Sequence, residues 1–130
     1  MSHPIVALQS ALVSALKADA GLAGVGVFDA PGRGAGAPYL VVARHDLLPR
    51  DGDEAPGFEH RVAVHCWAAD PSRKAALALA ERVVAVAEGL TAAGVRVTHR
   101  MHERTDTAID LETGQARAVV GLRFYSEPVD

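Results

Sequence analysis

Six histidines, one cysteine, a glycine-rich run and eleven arginines are the side chains of this 130-residue chain that could carry chemistry. A metal needs ligands that converge. On an extended strand, residues of opposite parity point to opposite faces. His60 and His65 lie five apart and His99 and His102 three apart, so each pair diverges on a strand. No CxxC, HxH or HExxH spacing occurs, and those spacings are what make a metal signal specific. Cys66 adjoins His65 on the same predicted strand, faces the other way and falls on the core face. It reads as a buried structural thiol rather than a nucleophile. Gly32-Arg33-Gly34-Ala35-Gly36 has the composition of a phosphate loop, but such a loop delivers its ligand to a helix N-terminus. Pro38 and a strand follow instead, and GxxxxGK[ST] is absent. Ser14, Ser72 and Ser126 lack a nucleophile elbow, and no acidic pair has a context that would raise one pKa. The expectation is a protein that is not an enzyme and has no metal and no cofactor.

The arginines are more informative. Arg96, Arg100, Arg104, Arg117 and Arg123 gather near the C-terminus, interleaved with Glu103, Asp106, Asp110 and Glu112. One reading is a solvated face with balanced charge. The other is a subunit interface, where planar bidentate geometry favours Arg over Lys. A long polar hairpin exposed on a monomer is a liability that a partner commonly covers, which favours assembly.

The elements that position these residues follow from periodicity. Ile5, Leu8, Leu12 and Leu16 recur at helical spacing, with Ser2 or His3 as cap, Pro4 in the first turn and Gly21 as stop, which predicts a helix over 4–19. Its opposite face carries Gln9, Ser10, Lys17 and Asp19. Short strands are predicted at 25–28 and 39–45, separated by a Gly/Pro loop over 29–38. A second loop spans 46–57, with Pro49, Gly52, Pro56 and Gly57. Residues 58–68 alternate, with Val62, Val64 and Cys66 on one face and Arg61, His65 and Trp67 on the other. Asp70 as N-cap and Pro71 at the first position open a second helix, striped by Ala76, Ala80, Val83, Ala87 and Leu90. Val95, Val97, His99 and Met101 alternate with Arg96, Thr98, Arg100 and His102. Glu112-Thr113-Gly114-Gln115 reads as a hairpin turn returning into 117–126. The order α-β-β-β-α-β-β implies an α+β fold: a mostly antiparallel sheet, two helices packed on one face, and a long C-terminal β-hairpin. No internal repeat or boundary appears, so 1–130 reads as one domain.

Composition bounds the rest. Ala contributes 25 and Val 16 of the residues, against only six aromatics, so the core is thin in large side chains. A chain of 13.6 kDa still buries about two-thirds of its unfolded surface. The formal charge of −3 argues against a dedicated DNA binder. No apolar run reaches the length of a membrane span. Met1-Ser2-His3-Pro4 lacks a basic n-region, so no signal peptide is expected. A lone cysteine suits a reducing compartment.

The order of features resembles a known family. Val27-Phe28-Asp29-Ala30-Pro31 follows the first helix, and Pro38-Tyr39-Leu40-Val41-Val42 follows the Gly-rich loop. Val64-His65-Cys66-Trp67 precedes the Ala-rich helix, and Arg117-Ala118-Val119-Val120-Gly121-Leu122-Arg123-Phe124 closes the chain. This pattern is similar to the tail-completion or tail-terminator proteins of long-tailed phages and phage-derived gene transfer agents. The resemblance implies a structural virion protein with no catalytic residues to carry over. It implies a homohexameric ring on the head-proximal end of the tail tube, assembled in the host cytoplasm. Such a ring ends tube polymerisation and joins the tail to the head connector. DNA passes through it without sequence recognition, and no membrane is involved. Candidate interface residues are Arg33, Tyr39, Arg50, Asp51, Asp53, Glu54, Arg100, Arg104, Glu112, Arg117 and Arg123. Two other classes stand beside this one. The first is a small enzyme or ligand-binding domain using His60, His65 or His99 in a pocket. The second is a monomeric cytosolic adaptor.

Overall fold

The computed structural model describes residues 3–30, 36–50 and 56–129. Helix α1 spans Pro4–Ala18 and is followed by a 3₁₀ turn at Ala20–Leu22. Strands β1 (Gly26–Phe28), β2 (Tyr39–Pro49) and β3 (Phe58–Trp67) precede helix α2 (Arg73–Glu88), and β4 (Val95–Ile109) and β5 (Ala116–Pro128) close the chain. The sheet order is β1-β2-β3-β5-β4. Both helices lie on one face, where Leu8, Leu12, Leu16, Ala76, Ala80 and Val83 join Leu40, Val64, Cys66, Val120, Leu122 and Phe124 in one buried cluster. Among the described residues the other sheet face carries no helix. The small side chains of α2 let it lie close to the sheet, which suits a core short of aromatics. Among the described residues no helix is long and apolar enough to cross a membrane.

The local signals act as expected in α1, where His3 Nδ1 accepts the Ile5 N–H at 3.1 Å. In α2 the cap is Ser72, whose hydroxyl accepts the Ala75 N–H at 3.3 Å. Asp70 and Pro71 precede the helix, so the predicted cap lies two residues too early. The side chain that reaches an N3 N–H decides the position.

Three further expectations change. β1 pairs with β2 in parallel, not antiparallel. A parallel neighbour usually needs a long crossover, but β1 has three residues, so the chain backtracks only roughly 7–10 Å. β2 runs on through Leu47 and Leu48 to Pro49, which pairs with Phe58, so the predicted loop starts later. The remaining residues of that loop, 51–55, lie outside the described residues, as do 31–35. Finally, β4 shifts register between Val97 and His99 and again between His102 and Arg104. Each extra residue inverts the parity of the strand beyond it. Val97, Arg100, His102 and Thr105 therefore share the helix-side face, while His99 and Met101 cross to the other.

Two glycines answer specific needs. A Cβ on Gly57 would sit 2.7 Å from the Arg50 carbonyl oxygen, beside the Arg50 N–H to Gly57 O bond of 2.8 Å. Gly114 has φ +76° in the β4–β5 turn, where left-handed backbone is needed.

Candidate functional site

Two constellations emerge, one buried and one open. The buried one is a polar chain on the helix side of the sheet. Gln9 of α1, His45 of β2, His60 of β3 and Ser126 of β5 stand in line. Gln9 Oε1 is 3.1 Å from His45 Nδ1, His45 Nε2 is 2.8 Å from His60 Nδ1, and His60 Nε2 is 2.7 Å from Ser126 Oγ. With the Gln9 oxygen facing His45, the hydrogens run one way. His45 Nδ1–H donates to Gln9, His60 Nδ1–H donates to His45, and the Ser126 hydroxyl donates to His60. Both imidazoles are then neutral. Burial pushes His45 down to about 4, with nearby Asp46 opposing and His3 adding to the shift. Burial likewise pushes His60 down to about 4, with His45 and His3 adding to it.

A serine hydroxyl against a histidine is the geometry of an activated nucleophile. Here His60 is fully buried and Ser126 is 1% exposed, and the group behind His60 is a second imidazole rather than a carboxylate. No substrate atom can reach Ser126 Oγ, so the chain is structural. Strand parity places His60 with Val62, Val64 and Cys66. His60 is therefore part of the core rather than of an open pocket. Gln9, placed on the solvent face by periodicity, turns inward.

His60, His65 and His99 do not converge. His60 is beneath the helices, His65 is on the opposite face, and His99 stacks on Tyr125 with centroids 4.8 Å apart. Burial lowers the His65 pKa, with Arg117 adding and Asp106 opposing. Cys66 is buried and burial pushes its thiol up to about 12, which leaves essentially no thiolate at neutral pH. Among the described residues no three His, Cys, Asp or Glu side chains could hold a metal together. A groove of about 660 Å³ lies between α2 and β4, walled by Leu77, Ala80, Val84 and Ala85 with His102 and Thr105 opposite. It is mostly apolar and contains none of the three candidate histidines.

The open constellation is the helix-free sheet face. Four arginines there meet a carboxylate on the same face. Arg44 meets Asp46 at 2.7 Å, Arg61 meets Glu59 at 2.7 Å, Arg104 meets Asp106 at 2.8 Å, and Arg123 meets Glu103 at 2.6 Å. Three of these pairs are two residues apart on one strand, the spacing that shares a face. That i, i+2 alternation of opposite charges is the sequence signal for Asp46 and Glu59, neither of which was a candidate. Arg44–Asp46 and Arg104–Asp106 are well solvated and add little stability, while Glu59 and the Arg123–Glu103 pair are partly buried. Their effect is to cancel charge locally.

Aromatic rings flank the ion pairs. Tyr39 lies between Phe28 (6.1 Å, edge-on) and Trp67 (6.4 Å, stacked). The Arg117 guanidinium is 5.5 Å from the Trp67 ring, and that of Arg50 is 4.0 Å from the Tyr125 ring, both within cation–π range. Tyr39, Arg50, Arg104, Arg117 and Arg123 therefore share this face. Arg100 does not, because the first bulge of β4 turns it to the helix side, where it donates to Leu90 O at 2.6 Å. Glu112 sits in the β4–β5 turn, where its N–H donates to Asp110 Oδ1 at 2.8 Å. Arg33, Asp51, Asp53 and Glu54 lie outside the described residues.

Residues 10–127 match the family described as Tail completion protein gp17. The chain belongs to that family. Its fold is also that of a chain in a solved structure described as the virion of a native gene transfer agent particle. The TM-score is 0.81 at 24% identity, over 97% of this chain and 99% of the other. No curated protein matches the sequence. As a tail-completion protein the chain is a structural tail component.

Proposed function

We propose that this tail-completion protein forms a homohexameric ring on the head-proximal end of a phage-like tail tube. The ring ends tube growth, joins the tail to the head connector and lets DNA pass, without enzymatic activity. The family match over residues 10–127 carries this reading, and the shared fold with a chain of a gene transfer agent particle supports it. The helix-free face adds a physical argument. A duplex moving past a surface is held by uncompensated cations through counterion release. Four arginines on this face are compensated by carboxylates at 2.6–2.8 Å, which suits a conduit that DNA must leave. The whole chain acts as one unit, assembled in the host cytoplasm and retained in the particle. Tyr39, Arg50, Arg100, Arg104, Glu112, Arg117 and Arg123, with Arg33, Asp51, Asp53 and Glu54, are the proposed contacts to a second copy, the tube or the connector.

Deleting the gene and imaging the particles tests this. Tails of uncontrolled length and heads without tails are expected. Normal tails joined to heads would sink the proposal.

A further inference from the structure

The two ends of β4 carry complementary features. At one end the β4–β5 turn presents Leu111, which is 96% exposed, more than any other large apolar residue of the described chain. The turn is firm. Asp110 Oδ1 accepts the N–H groups of Glu112 at 2.8 Å and Thr113 at 3.2 Å, and the Gly114 N–H donates to Asp110 O at 2.7 Å. Leu111 is thus held outward between two acidic residues, Asp110 and Glu112. At the other end a groove of about 440 Å³ is walled by Ala92, Val95, Val97 and Val129, with Arg96 and Arg100 beside them. Neither arginine has a carboxylate partner among the described residues. Arg100 is held at the groove by its bond to Leu90 O. An apolar knob with acidic flanks therefore matches an apolar socket with basic flanks. The larger groove between α2 and β4 is a poor alternative, because Glu81 and Glu88 line it and would repel the acidic turn. A strand as long as β4 separates the knob from its own socket by roughly 45 Å, so the match cannot be made within one molecule.

We propose that the Leu111 turn of one copy seats in the Arg96–Arg100 groove of a second copy of this chain. The contact is heterologous, so every copy keeps one knob and one socket and the pattern repeats until rotation closes it. This rests on the proposed ring and names the contact that links its subunits.

The test places a photoactivatable cross-linker on Leu111→Cys in assembled particles. Cys66 is buried, with its thiol pushed up to about 12, and does not compete for the label. Adducts to residues 91–100 of another copy are expected. Adducts to another protein, adducts elsewhere on the chain, or none at all in joined particles that contain the chain would overturn the contact and leave the ring standing. Particles that lack the chain would overturn the functional reading instead. As a second measure, Leu111→Asp should leave the melting temperature unchanged while weakening self-association at least about tenfold. Glu112→Arg should weaken it too, and Arg96→Glu in the same chain should restore it. Unchanged association in Leu111→Asp would count against the contact without any question of folding.

Discussion

Ser126 is 1% exposed and its hydroxyl has one side-chain partner, His60. Ser126→Ala therefore strands an imidazole nitrogen in the core and is expected to cost about 1–3 kcal/mol, the desolvation cost of an unmatched buried group, read from urea midpoints. The same chain sets an acid limit. His45 and His60 titrate at about 4 in the native protein against 6.5 when unfolded. Between those values the unfolded state binds the extra protons, so stability rises with pH across that window. Their contribution is full above pH 6.5 and declines as pH falls to about 4, and His65, also lowered, acts in the same direction. Urea midpoints at pH 7, 5.5 and 4 should fall in that order, and a flat profile would contradict the buried pair. Gly57→Ala must push a methyl toward the Arg50 carbonyl oxygen and is expected to cost about 1–3 kcal/mol through overpacking.

At the scale of elements, α1 is held by two different means. Leu8, Leu12 and Leu16 are buried in the core, and Leu12→Ala should cost about 2–5 kcal/mol, a large share of a small domain's stability. The helix end is fastened by Asp19, whose two oxygens accept from Arg82 of α2 at 2.9 and 2.7 Å. That bond, above all, holds the Asp19 carboxyl below the usual carboxylate range. Asp19→Asn should loosen α1 selectively, seen as faster amide exchange in α1 than in β3 or β5. These helices were legible in the sequence, because the Leu8-Leu12-Leu16 and Ala76-Ala80-Val83-Ala87 stripes depend only on near neighbours. The alternation of Val62, Val64 and Cys66 was legible for the same reason. The bulges of β4 were not. Parity counting assumes no extra residue, and nothing local to Thr98 or Glu103 marks the insertion. The His45–His60 meeting was hidden as well, since it needs the cross-strand register of β2 on β3 and the turn of Gln9 toward both. Likewise the face shared by Tyr39 and Arg117 comes from the long-range order β2-β3-β5, which no spacing in the chain encodes.

For the whole molecule, the described sheet has one face without a helix and ends in a 15-residue edge strand, β4. Removing carboxylates from that face should reveal what their pairing does. A variant with Asp46→Asn, Glu59→Gln, Glu103→Gln and Asp106→Asn leaves its arginines uncompensated. It should bind duplex DNA with a steep salt dependence where the parent chain does not, as read by fluorescence anisotropy at low salt. Equal binding by both would remove the argument that paired charge keeps the surface slippery.

The buried polar chain bears on how the sheet finds its alignment. The inward residues of β3 and β5 include a run of small ones, Val62, Val64, Ala116, Ala118 and Val120, beside the larger Leu122 and Phe124. Over that run, sliding one strand by two positions would exchange one small apolar side chain for another and keep each on its face. Leu122 and Phe124 resist such a slip by size, and the polar chain resists it by pairing. Gln9, His45, His60 and Ser126 come from four separate elements, and each partner is met only at the native offset. A slipped strand would leave buried donors and acceptors unmatched, at about 1–3 kcal/mol each. Four polar side chains thereby act as a proofreading key beside a run of Val and Ala too alike to fix the alignment by itself.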